Sequence, residues 1–373
     1  MTSKLFSSIT VGNVEFKHRA WVPPMCMYSC DTEKAGVVNE FHIMHYGTLA
    51  LGGAALIIAE ATGVSPEGRI SPNDTGIWTN EQAEAWQKVV AAVHSVKSDG
   101  GPLGRVKMGI QIAHAGRKAS TYREFDNDKS GSIPETDGGW QTFGPTNEAF
   151  TGLVAPKALN ESEIKQIISE FVEASKRALV AGFDVIEIHA AHGYLIHEFL
   201  SPLSNTRDDK WGSDIEGRAR ILTEILIEVR KVVPKGYPIF VRFSGTDWTP
   251  GGIDEKLIVE YAKLAKAAGA DFVDMSSGGL VAEAKIPNVD DYQIPFATVA
   301  KTGADIPTAA VGRITKAAQA EDIIASGRAD AVFIGRAALN NPSWFKHAAR
   351  ELGLSSKEQL EIWPAQHVRG LPR

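Results

Sequence analysis

The sequence predicts an α/β fold, a TIM (β/α)8 barrel with an insertion after its third strand and a C-terminal tail. Three observations carry the prediction. Short apolar runs alternate with amphipathic stretches, such units recur along the whole chain, and His, Tyr and Arg gather just after the runs. Alternation implies parallel strands, because each parallel connection needs a crossover, usually a helix. A count of about eight units favours closure into a barrel over an open doubly wound sheet, the competing arrangement.

The candidate strands are 20–25, 55–59, 107–112, 185–188, 238–243, 272–275, 307–311 and 331–334. Each is a short run rich in Ala, Val, Ile, Met or Phe, bounded by Gly-rich or polar corners, which suits strands buried on both faces. Helical periodicity is clearest at 161–181, 217–233, 254–269 and 316–326. Segment 114–159 breaks the rhythm. It is rich in Gly, Ser, Thr, Asp and Pro and far exceeds an ordinary connection of about 2–6 residues, so it reads as a lid over the barrel mouth. The tail, 342–373, carries a helix-like stretch at 343–352 and then a polar, Pro-containing end that docks or frays. Length alone, 373 residues, gives a prior of two or three domains. One barrel of about 250 residues plus the insertion and the tail accounts for 1–373 as a single domain.

Lys and Arg number 39 against 45 Asp and Glu, a net charge of −6, with 43% hydrophobic residues. These values exclude a disordered, collagen-like or disulfide-scaffolded chain and give no reason to expect a nucleic-acid partner. Cys26 and Cys30 lie too close in sequence to staple much, which fits a reducing compartment. The start lacks a secretory apolar region and no window is apolar enough for a membrane span, so the expectation is a cytoplasmic protein acting on small molecules.

In such barrels chemistry sits at the C-terminal ends of the strands. After the first run stand Met25, Cys26 and Tyr28; after the second, Glu60 and Ala61; at the third, Gln111 and His114. His189, His192 and Tyr194 follow the fourth, Arg242 lies in the fifth, and the last two end in Gly312-Arg313 and Gly335-Arg336. Glycines that admit backbone N–H groups, with an Arg fork beside them, suit a phosphate; a tight turn and a surface ion pair are the bland reading. The His pair is half of a metal site or, as two neutral donors, a grip on one carbonyl or nitro oxygen, with Tyr194 as proton source. Arg242 in an apolar strand needs an anion, either Glu60 or Asp274 as a structural partner or an electron-rich ring that gains charge on reduction. Cys26 reads by default as a small buried hydrophobe.

These residues resemble the old yellow enzymes, FMN-dependent NADPH dehydrogenases and ene-reductases, within their thermophilic-like class that includes xenobiotic reductases. The motifs are Pro23-Pro24-Met25-Cys26-Met27-Tyr28-Ser29, Glu60-Ala61-Thr62, Gly68-Arg69, Gln111-Ile112-Ala113-His114-Ala115-Gly116-Arg117-Lys118, His189-Ala190-Ala191-His192-Gly193-Tyr194, Phe199-Leu200-Ser201-Pro202, Asn205-Thr206-Arg207, Val241-Arg242 and Ile334-Gly335-Arg336. They keep family order from about residue 5 to residue 369.

The resemblance implies that Pro23, Pro24, Met25, Cys26, Ala61, Gln111, Arg242, Gly312, Gly335 and Arg336 line FMN. Gln111 would bond the pyrimidine edge, Arg242 would stabilise the reduced ring near N1, and Cys26 would tune its potential. It further implies that His189 and His192 hold the substrate oxygen, Tyr28 helps to position it, and Tyr194 protonates Cα after hydride reaches Cβ, in a ping-pong cycle driven by NADPH or NADH. Arg369 resembles a residue that reaches a neighbouring subunit's site, so a homodimer or homotetramer is expected. Arg313 departs from the pattern, which has an aliphatic residue there, and the last three residues, 371–373, extend past the Arg369 motif. A metal-dependent hydrolase using His189 and His192 is the alternative from another class. An iron–sulfur flavoenzyme is excluded, since two cysteines cannot supply the four thiolates that a [4Fe–4S] cluster usually takes.

Overall fold

The computed structural model describes residues 3–98, 104–126 and 128–371. A hairpin of β1 (Ile9–Val11) and β2 (Val14–Phe16) precedes the barrel strands β3 (Ala20–Trp21), β4 (Leu56–Gly63) and β5 (Lys107–Ala113). A small parallel pair, β6 (Phe143–Gly144) and β7 (Lys157–Ala158), lies in the long insertion. The barrel then continues with β8 (Val185–Ala190), β9 (Ile239–Ser244), β10 (Phe272–Ser276), β11 (Thr308–Val311) and β12 (Ala331–Phe333). The helices are α1 (Glu40–Leu51), α2 (Asn80–Ser95), α3 (Glu161–Ala181), α4 (Leu195–Leu200), α5 (Ile215–Val232), α6 (Glu255–Ala268), α7 (Ile294–Ala304), α8 (Ala317–Ala325), α9 (Arg336–Asn340), α10 (Trp344–Glu351) and α11 (Ser356–Gln359).

The eight barrel strands are parallel and hydrogen-bonded in the order β3-β12-β11-β10-β9-β8-β5-β4. A single bridge closes the ring: Val22 N–H donates to Leu56 O at 2.9 Å and Ile58 N–H to Val22 O at 3.0 Å. All eight apolar runs are thus strands of one closed sheet. The first is shorter than expected, because Pro23 and Pro24 have no N–H to offer the ladder and the chain leaves it to run along the barrel mouth.

Alternation inside the strands sorts side chains by height. The inward side of β8 reads Val185, Glu187, His189; of β9, Phe240, Arg242, Ser244; of β10, Phe272, Asp274, Ser276. The lowest layer is apolar, with Phe240 stacked on Phe272 at 4.6 Å and Trp21 at 5.3 Å from Phe272. The hairpin seals that end, Phe16 meeting Trp21 at 5.0 Å. The middle layer is ionic and the top layer faces the mouth.

Segment 114–159 is pinned across the mouth rather than folded as a separate unit. Arg117 donates to Leu280 O at 2.9 Å, Lys118 to Gly279 O at 3.0 Å, and the Trp140 indole to Glu67 O at 2.9 Å. The tail docks at the opposite end: Ala365 N–H donates to Lys97 O at 3.0 Å, and Lys17 reaches Ile362 O. Of the chain's last three residues, Pro372 and Arg373 lie outside the described residues. No helix among the described residues is long and apolar enough to cross a membrane.

Candidate active site

A cavity of about 830 Å³ opens at the C-terminal end of the barrel. Of the residues singled out in the sequence, Pro23, Pro24, Met25, His192, Arg242, Gly312, Arg313, Gly335 and Arg336 line it. His189 and Tyr194 adjoin the His192 end. The imidazoles of His189 and His192 lie edge to face at 5.1 Å between centroids, with His189 Nε2 and His192 Nδ1 3.4 Å apart. Tyr194 also meets His189 edge to face at 5.1 Å. Cys26 sits close by, its thiol engaged by the Ala61 backbone and the Tyr28 hydroxyl; burial, then Asp74 and Glu60, push it well above the ordinary thiol range. Gln111 pairs in register with Ala61.

Burial, reinforced by the Arg242 charge, holds both imidazoles well below their usual range, so they are neutral N–H donors. Ala191 N–H donates to His189 Nδ1 at 3.3 Å, which leaves the His189 proton on Nε2, toward His192. His192 Nε2 faces the Ser276 hydroxyl at 2.7 Å. Burial keeps the Tyr194 phenol protonated, and the Lys118 ammonium stands over its ring at 5.1 Å.

Below them lies the ionic layer. Arg242 Nε is 3.0 Å from Asp274, its Nη1 is 3.5 Å from Pro24 O, and the Gln111 amide donates to Glu187 at 2.8 Å. The structural partner of Arg242 is therefore Asp274 and not Glu60, while its guanidinium still faces the cavity. Glu187 and Asp274 are fully buried; burial first, then the neighbouring carboxylate, hold Glu187 well above the usual range. Sequence reading passed over Glu187 and Ser276. An acid centred in an apolar run, as in Val-Ile-Glu-Ile-His, is the signal that marks Glu187; a serine at a strand end gives none.

Gly312 adopts φ +112°, and a Cβ there would stand 2.4 Å from Gln293 Nε2, so only glycine fits. At Gly335 a Cβ would project against Pro23 and Met25, 3.4 and 3.6 Å away. Arg313 turns to the loop after β10, bonded to Asn288 and 3.5 Å from Asp290. Arg369 is exposed on the 3-10 turn Ala365–Gly370 and is not among the residues that line the cavity. Among the described residues, no group of three His, Cys, Asp or Glu is placed to hold a metal ion.

A family model described as NADH:flavin oxidoreductase / NADH oxidase matches residues 4–355. The NADPH dehydrogenase of Geobacillus sp. (strain WCH70) is 44% identical over 364 residues, 97% of this chain and 98% of that protein. That of Bacillus subtilis (strain 168) is 43% identical over 371 residues, covering 99% and 100%. Among solved structures, morphinone reductase superposes with a TM-score of 0.75 at 25% identity, over 95% of this chain and 91% of its own. An old yellow enzyme homologue from Zymomonas mobilis gives a TM-score of 0.76 at 27% identity, over 99% of each chain.

Proposed function

The chain belongs to the NADH:flavin oxidoreductase / NADH oxidase family, the old yellow enzymes, and from that premise we propose that it reduces the activated C=C bond of α,β-unsaturated carbonyl compounds, and nitro compounds, at the cavity above Arg242. It is an FMN-dependent NAD(P)H oxidoreductase. The cavity fits the cofactor: its volume lies in the range of cofactor sites, its wall carries Gly312 in a conformation that only glycine takes, and a guanidinium faces in from below. FMN, when bound, supplies hydride transfer, from NAD(P)H in one half of a ping-pong cycle and to the substrate in the other.

The chain's own residues do the rest. Pro23, Pro24, Met25, Cys26 and Ala61 would line the ring; Gln111 would bond its pyrimidine edge and Arg242 would offset negative charge near N1; Gly312, Gly335 and Arg336 would hold the phosphate. When a substrate oxygen enters, a Ser276 hydroxyl donating to His192 Nε2 would leave a proton on Nδ1, so that His192 Nδ1–H and His189 Nε2–H point to that oxygen instead of pairing with each other. Tyr28 positions the substrate, and the Tyr194 phenol supplies the proton at Cα. Arg369 reaches a cavity only in another copy, so the active form is a homodimer or homotetramer. Xenobiotic enones and nitro compounds, met in the cytoplasm, are the substrate class. The hydrolase alternative finds no support in either the family or the ligand set.

The observation that carries this reading is the convergence of His189, His192 and Tyr194 beside a cavity backed by a buried Arg. Anaerobic NADPH should bleach the yellow protein, and 2-cyclohexenone should restore its colour. Tyr194→Phe should slow the second step by roughly 10²-fold while sparing the first; equal loss in both would remove the proton-donor role.

A further inference from the structure

The corner that carries His192 and Tyr194 is built in a conformation it would not adopt alone. His192 has φ +61° and Gly193 φ +74°, two successive left-handed residues. A Cβ at position 193 would stand 2.1 Å from Gly279 O, so glycine is required there, whereas His192 bears the steric cost of the left-handed region. Something must hold it. Its N–H donates to the Ser244 hydroxyl at 3.0 Å and its carbonyl accepts from Lys118 at 2.9 Å. The Gly193 N–H donates to His197 Nδ1 at 2.9 Å, from the first turn of α4.

That last bond requires His197 Nδ1 to be bare. The imidazole proton then sits on Nε2, which lies 2.9 Å from Asp247 Oδ1 in a close ionic contact that lacks hydrogen-bond alignment, and both side chains are 0% exposed. The other carboxylate oxygen accepts from the Ser201 hydroxyl and from Ile253 N–H, each at 2.7 Å, which fixes the carboxylate in turn. Neither residue lines the cavity. A proton moved to His197 Nδ1 would set two N–H groups against each other and push the corner away.

We propose that the buried His197–Asp247 pair is a positioning device for the reaction: Asp247 selects the His197 tautomer that anchors the Gly193 amide, and so sets where His192 and Tyr194 stand relative to the substrate. The proposal rests on the roles assigned to those two residues above. In the flavin-loaded wild-type enzyme, 15N NMR of His197 should show Nε2–H and a bare Nδ1; a proton on Nδ1, or an imidazolium, overturns it. In flavin-loaded Asp247→Asn and His197→Asn, the Gly193 amide should exchange with solvent faster. Reoxidation by 2-cyclohexenone should fall at least roughly tenfold further than reduction by NADPH, with a raised KM for the enone. Tyr194→Phe run beside them separates the two ideas. If it slows reoxidation while Asp247→Asn and His197→Asn change neither reoxidation nor Gly193 exchange, the positioning role is wrong and the proton donor stands. If Tyr194→Phe has no effect, the reaction assignment fails, while the tautomer and the Gly193 exchange still decide whether the pair holds the corner.

Discussion

Glu60 lies 1% exposed beneath the loop that leaves β3, where its carboxylate accepts from Met27 N–H at 2.9 Å and from the Tyr46 hydroxyl at 3.0 Å. Burial outweighs those bonds and lifts its pKa from 4.5 to about 7. The folded chain keeps this proton over a range in which the unfolded chain has lost it, so the contribution to stability is full below about 4.5 and is lost as pH rises through about 7. Glu60→Gln should therefore gain about 3 kcal/mol relative to wild type between pH 4.5 and pH 8, read from urea unfolding at each pH. A difference independent of pH would mean that Glu60 is ionised throughout. At this scale the sequence was partly legible. His189, His192, Tyr194 and Arg242 stand where strand ends place them. Glu60 does not, because Leu56 and Ile58 face the barrel interior and strict alternation would send Glu60 there too. A bulge between Ala59 and Ala61 turns it outward to α1 instead, and nothing in the residue string announces a bulge.

Among elements, α3 was readable to the residue. Asn160 accepts from Glu163 N–H while the Glu163 carboxylate accepts from Asn160 N–H, and the helix ends at Gly182 with φ +90°. Ile164, Ile167, Ile168 and Phe171 recur on its buried face at helical spacing. Asn160→Ala should cost about 1 kcal/mol in denaturant unfolding, with flavin binding unchanged; no cost at all would place the helix start elsewhere. The segment 114–159 was legible as an interruption and read as a lid, but not in its internal order. Its order comes from contacts to loops distant in sequence, such as Arg117 to Leu280 and Trp140 to Glu67, and local pattern cannot report those.

For the whole molecule, eight alternating units implied a closed barrel and the ring is closed, yet the partition of its interior into apolar, ionic and mouth layers emerges only once neighbouring strands are in register. The docked tail places Arg369 on the surface, so Arg369→Ala should leave the unfolding of the chain within about 0.5 kcal/mol of wild type. It should raise the KM for the enone or shift the assembly state by light scattering; a variant unchanged in both would confine Arg369 to solvent. The ring's closure also fixes when the site can exist during synthesis. The cavity wall joins Pro23 and Met25 to Gly335 and Arg336, and β3 hydrogen-bonds to β12, so a nascent chain leaving the ribosome carries one half of that wall long before the other. The complete cavity is therefore a late product in the life of the polypeptide. Any chain halted before β12 lacks both the pocket wall at Gly335 and the strand that joins the two ends of the sheet.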